Sequence, residues 1–121
     1  MSGTNAPQSS AQFKGAILSV ADMESGCGFY AEVFGLRPRF RDGDKWAALD
    51  APGGLSLAGQ DERLPDRVAL SFKVPDVEAA LDRAVAAGAT VVAPVTTGGH
   101  ERKAMVRDPD GHLVVLYSPA A

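Results

Sequence analysis

The sequence predicts an α+β fold in which two βαβββ modules form one curved mixed sheet with helices on its convex face. Three observations predict it. A strand–helix–three-strand pattern over about residues 14–58 restarts over 67–118, and repetition at a fixed period decides the architecture before any local reading. Helix-opening Asp22 has its counterpart in Asp76, and helix-closing Gly35 in Gly88, which sets a period of about 53 residues. Strand alternation leaves each module with one sheet face for its helix and one face bare.

Each element has a local reason. Gly15–Val20 is short, apolar and partly β-branched, as a strand requires. Asp22 is a good helix N-cap, and Glu24 places negative charge in the first turn. Met23, Cys27, Tyr30, Ala31 and Phe34 then recur at helical spacing until Gly35. Gly26 and Gly28 weaken that helix by about 1 kcal/mol each relative to Ala and suggest a close backbone approach. Over Leu36–Arg41, Leu36, Pro38 and Phe40 alternate with Arg37, Arg39 and Arg41. Proline and the basic residues place that strand at a sheet edge.

Asp42-Gly43 and Ala51–Gly54 are turns around the strand Lys45–Asp50, and Gly54–Ala58 is a further strand. Gly59–Asp66 reads as a polar connector. The restart is Arg67–Val74, a strand, followed by N-cap Asp76 and the stripe Val77, Ala80, Leu81, Ala84 and Val85. After Gly88 come the strand Ala89–Val95, the loop Thr96–Gly99, and a closing hairpin. In that hairpin Lys103–Val106 and Leu113–Tyr117 flank the strong turn signal Asp108-Pro109-Asp110-Gly111.

The chain has 121 residues, one domain's worth, over 13–121, with 1–12 expected as a flexible tail. Its formal charge of −3 leaves no basic footprint for nucleic acid. No polybasic or long apolar segment suits a membrane, and the polar start lacks the apolar region of a signal peptide. Cys27 is the one cysteine, so no internal disulfide forms, which suits a cytoplasmic location.

Alternation assigns the faces. Ala16, Leu18 and Val20, Leu70, Phe72 and Val74, and Val114 and Leu116 meet the helices. Gly15, Ile17 and Ser19, Ala69, Ser71 and Lys73, and Leu113, Val115 and Tyr117 face away. Side by side, the two bare faces make a concave surface lined by apolar and small residues, the default shape of a small-molecule site.

Four stretches carry a family resemblance: Val20-Ala21-Asp22 after the first strand, Phe29-Tyr30 followed by Phe34-Gly35-Leu36, Val74-Pro75-Asp76-Val77, and Asp108-Pro109-Asp110-Gly111. In this order and spacing the chain resembles the vicinal oxygen chelate superfamily of glyoxalases, extradiol dioxygenases and bleomycin-resistance proteins. The resemblance is specific for the fold and not for an activity. It implies that metal-using members place His, Gln or Glu on the concave face. Matched by motif, those positions fall here on Gly15, Ser56, Ala69 and Val115, and a shift of one residue supplies no ligand either. A divalent cation needs several N or O donors at about 2.0–2.5 Å. The expectation is therefore no metal and no cofactor.

Other residues were candidates for the chemistry. His100, beside Glu101 after Gly98-Gly99, is a catalytic candidate as a general acid or base, set against a plain loop histidine. His112 reads as a surface residue, Cys27 as a buried structural thiol, and Asp108 and Asp110 as turn formers. Arg39 and Arg41 read as an exposed edge. Ligand-binding candidates are Ile17, Trp46, Ser56, Ser71, Lys73, Val115 and Tyr117. Trp46 is the one tryptophan and either stacks on a flat ligand or packs against the sheet. Lys73 is the cation on the concave side, for an anionic ligand or for solvent.

The expected function is metal-independent binding of an aromatic or apolar small molecule in the cup, in the manner of bleomycin-resistance proteins. The resemblance also implies a homodimer. The alternative is a lyase, isomerase or dioxygenase that uses non-standard residues or a displaced metal. Sequence leaves open whether the modules pair within one chain or between two.

Overall fold

The computed structural model describes residues 10–62 and 64–120. The first module comprises β1 (Gln12–Ser19), α1 (Met23–Phe34), β2 (Pro38–Asp42), β3 (Trp46–Leu49) and β4 (Leu55–Ala58). The second comprises β5 (Val68–Lys73), α2 (Val77–Ala86), β6 (Thr90–Thr97), β7 (Glu101–Arg107) and β8 (Leu113–Pro119). Together they make one eight-stranded sheet in the order β2-β3-β4-β1-β5-β8-β7-β6. Within each module the first and last strands are parallel, β1 to β4 and β5 to β8. The modules join within the chain through the antiparallel pair β1–β5.

Both helices start as their sequence directs. Asp22 accepts from the Ser25 N–H, and Asp76 from the Ala79 N–H. Each cap satisfies a backbone donor that the first helical turn leaves unpaired. Gly35 closes α1 in the left-handed region, donating its N–H to Ala31. Met23 and Cys27 pack with Ala47, Leu49 and Leu57 in one core. Val77 and Ala80 pack with Val74, Ala104 and Leu116 in another. Burying such side chains supplies about 1.5–3 kcal/mol for each large one, and this apolar contact fixes the helices on the sheet.

Several expectations need correction. Gln12 belongs to β1 and not to the tail, because its strand pairs with β5 as far as Lys73. The rest of the expected tail lies outside the described residues, apart from Ser10 and Ala11. Phe34 is exposed: it lies at the end of α1 and stacks on Tyr30, with ring centroids 6.2 Å apart. Val85 is exposed at the last turn of α2. Phe40 is exposed because β2 is an edge strand with a neighbour on one side only. A Cβ on Gly28 would meet nothing within 4 Å, so that glycine marks no close approach. The connector is not wholly polar: after a 3-10 turn at Gln60–Glu62, Leu64 is buried.

Candidate functional site

Ladder pairing sorts the concave face into rows, because residues paired across strands share a face. The upper row holds Trp46, Ala58 and Ser19. Below it lie Phe40, Ala48, Ser56, Ile17 and Ala69. The next row holds Gly15, Ser71, Val115 and Met105. The lowest holds Gln12, Lys73, Tyr117, Lys103 and Thr96.

The upper half is filled by the protein itself. Ile17, Ala58, Ala69, Leu113 and Val115 form one buried cluster, closed from above by Leu64. Trp46, Val92 and Met105 pack against it. Ile17 and Val115 are thus core residues under the site, at 5% and 4% exposure. Trp46 is a half-buried wall of the same cluster. Asp66, two residues after Leu64, ties the connector down. Both its carboxylate oxygens accept from Arg107, at 2.7 and 2.9 Å. The Arg107 hydrogen bonds hold the Asp66 carboxyl below the usual carboxylate range.

Beyond Leu64 an open trough of about 980 Å³ runs past Ser19, Val20, Gln60, Asp66 and Arg67. Its polar groups are largely engaged. The Ser19 hydroxyl donates to the Asp66 carbonyl, Gln60 donates to the Ala21 carbonyl, and Asp66 is held by Arg107.

The lower half is built differently. A bulge at Lys14 interrupts the β1–β5 register between Phe13 and Gly15. It turns Phe13 to the convex side, where its ring lies 5.3 Å from that of Phe72. Gly15 follows at φ +99, where a Cβ would collide with the Gly54 carbonyl oxygen. Glycine is required there for a backbone reason, and Gly15 is itself buried against the Gly53–Gly54 backbone. Next to it in the register stand Ser56, half-buried, and Ser71, buried, with Lys73 and Tyr117 half-buried below. Burial raises the Tyr117 phenol, with a smaller push from the Glu101 charge, so it keeps its proton and can donate.

The positions matched to metal ligands do not fit a cation. Gly15 cannot carry a side chain without moving Gly54, Ala69 and Val115 are buried and apolar, and Ser56 offers one neutral hydroxyl. Among the described residues, no group of three or more His, Cys, Asp or Glu side chains could hold a metal.

The remaining candidates lie elsewhere. His100 is exposed in the β6–β7 turn. Glu101 lies at the lower end of β7, with its carboxylate 3.7 Å from the Lys103 ammonium. His112 Nδ1 is 3.0 Å from the Asp108 carboxylate, which also accepts the Asp110 and His112 N–H groups. These bonds, the His112 N–H first, hold Asp108 below the usual carboxylate range. They make the pair part of the turn. Cys27 is buried under α1. Arg41 pairs with Glu24 and Asp44 at the edge.

Sequence reasoning missed Gln12, Leu64, Lys103 and Met105. Gln12 falls within the expected tail. The alternation that placed Tyr117 on the concave face would also have placed Lys103 and Met105 there once β7 was paired to it. Nothing local marks Leu64.

This architecture, two βαβββ modules joined at their first strands around a half-open cup, defines a member of the vicinal oxygen chelate superfamily. Within it, residues 15–117 match the glyoxalase-like domain family, and the chain belongs to that family. An uncharacterized protein of Mycolicibacterium smegmatis is 35% identical over 111 residues, covering 89% of this chain and 94% of that one. A glyoxalase/bleomycin resistance protein/dioxygenase superfamily member from Vibrio splendidus is similar in fold, with a TM-score of 0.68 at 19% identity, covering 88% and 99%. The Mn(II)-bound glyoxalase from Novosphingobium aromaticivorans is 27% identical, with a TM-score of 0.58, covering 91% of this chain and 40% of that one.

Proposed function

We propose that this chain binds an aromatic or apolar small molecule on the lower half of its concave face, without a metal, and sequesters it. The observation behind this reading is a concave face whose lower half carries the small and polar residues Gly15, Ser56, Ser71 and Tyr117, in a cup whose ligand positions lack cation donors. Such a surface offers apolar area with a few polar groups to orient a ligand, as small-molecule sites do. The cytoplasm is the compartment proposed, in keeping with a lone buried thiol. Among the described residues no helix is long and apolar enough to cross a membrane.

Trp46 serves as the reporter, as the one tryptophan and a wall of the cluster that fills the upper half of the cup. A screen of aromatic natural products should shift or quench its emission, with the bound compound recovered unchanged. Stoichiometric iron, manganese, nickel or zinc on the purified protein would overturn the metal-free reading. A chemically altered compound would overturn sequestration.

A second copy of the chain is the partner proposed for the convex side. α1 lies over β3 and β4, and α2 over β6, β7 and β8, which leaves the central strands thinly covered. Phe13, Val68 and Leu70 remain 55%, 51% and 37% exposed there. The antiparallel β1–β5 pair sets Phe13 against Phe72, Ala16 against Leu70, and Leu18 against Val68. Related to itself by a two-fold axis along these strands, the stripe would set the β5 side of one copy against the β1 side of the other, as an isologous contact does.

A further inference from the structure

We propose that the lower rim of the cup is an oxyanion subsite, where Lys73, flanked by Gln12 and Tyr117, holds a carboxylate or phosphate group on the ligand. This rests on the small-molecule reading above and adds the chemical class of the ligand, an apolar body with an anionic head.

The placement comes from strand register. Lys73 pairs with Gln12 on one side and with Tyr117 on the other, and Tyr117 pairs in turn with Lys103. Neighbouring strands lie about 4.8 Å apart, so the two lysine backbones are about 10 Å apart and their arms can converge above Tyr117. Ammonium, amide and phenol groups thus form a row of hydrogen-bond donors. Lys73 also borders a cleft of about 230 Å³ whose other polar walls are Ser10, Gln12 and Ser118. Among the described residues no carboxylate lines that cleft.

Charge then singles out Lys73. Lys103 is partly offset by Glu101 at 3.7 Å, whereas Lys73 has no acidic partner among the described residues. In a chain of net charge −3, an anion gains little from the overall field and is attracted only locally. A charge-assisted hydrogen bond at a half-buried lysine is stronger than a neutral one. Gly15, Ser71, Val115 and Met105 lie in the row directly above, so the body of the ligand would rest on that small and apolar row.

Two dyes of nearly the same shape test this. Anilinonaphthalene sulfonate carries an anion, and N-phenylnaphthylamine does not. Both accept energy from Trp46. The wild-type protein should bind the sulfonate about tenfold more tightly, the factor expected of one charge-assisted bond. Lys73→Gln should remove that preference and leave the neutral dye unaffected, while Lys14→Gln should change neither. Displacement by phenyl phosphate or by phenylacetate would support the subsite and identify the head group. Displacement equally well by benzyl alcohol would overturn it. Equal binding of both dyes, or sulfonate binding unchanged in a folded Lys73→Gln protein, would overturn the oxyanion inference alone. Binding of neither dye would instead overturn the small-molecule reading on which it rests.

Discussion

Arg107 and Asp66, 41 residues apart in sequence, meet through two hydrogen bonds of 2.7 and 2.9 Å, at the top of the cup. The pair joins the connector between the modules to the end of β7. It thereby holds Leu64 over the apolar cluster that fills the upper concave face. One ionic contact thus helps decide which half of the cup is closed.

Stability should depend on acid through this contact. In the folded chain Asp66 ionises below the usual carboxylate range because Arg107 donates to it. The unfolded carboxylate titrates near about 3.9. The contribution is therefore complete above that value and disappears as pH falls through the lower folded value. Thermal unfolding followed from pH 7 down to about pH 2 should show a falling midpoint. Arg107→Gln should flatten the part of that fall due to Asp66. An unchanged slope would mean that the pair is not populated in solution.

Leu64→Ala should destabilise the protein by about 2–4 kcal/mol in urea unfolding, because the shortened side chain leaves a cavity over Ile17 and Ala69. Trp46 packs on the same cluster, so its emission should move to the red as water enters. Loss of stability without a spectral change would separate Leu64 from the tryptophan.

Much of this fold was legible because local signals agreed with one another. Asp22 and Asp76 cap their helices as their positions direct, and period-two alternation sorted both faces of β1, β5 and β8, although Leu70, expected against a helix, stays exposed because the helices leave β5 thinly covered. The Asp-Pro-Asp-Gly turn was equally plain, with Asp108 accepting the N–H groups of Asp110 and His112. The site was less legible, since its shape depends on contacts distant in sequence. Leu64 sits in a polar connector, and only the folded chain shows that it plugs the cup. The strand predicted from Gly15 onward stops short of the bulge at Lys14, which sends Phe13 to the convex face. Phe34 follows the helical period, yet α1 runs past the sheet it packs on, and periodicity says nothing of where a helix outlasts its support.

Gly15 and Gly28 should respond in opposite ways to alanine. At Gly15 the backbone is at φ +99 and a Cβ would meet the Gly54 carbonyl, so Gly15→Ala should cost at least about 1–3 kcal/mol. Gly15→His should be no better, and should not create a metal site, because its side chain cannot enter without displacing β4. Gly28 lies within α1 with open space where its Cβ would be. Gly28→Ala should stabilise by about 0.5–1 kcal/mol. Urea unfolding measures all three, and metal analysis of Gly15→His checks the remaining claim.

The convex stripe makes a prediction about assembly. Exposed Phe13, Val68 and Leu70 lie over the two central strands, in a space the helices leave between them. Apolar side chains grouped in this way mark a contact surface far more often than the same residues scattered singly. A two-fold axis through the β1–β5 pair would bring the Leu70 side of one copy against the Ala16 side of the next, large against small. Light scattering behind size exclusion should report a dimer at micromolar concentration. Leu70→Glu should shift it to monomer, since each interface would then bury a carboxylate facing apolar neighbours and no cation. Because Leu70 is partly exposed in the single chain, the variant should keep its fold, which circular dichroism verifies. A wild-type protein that stays monomeric at every concentration would overturn the proposed dimer.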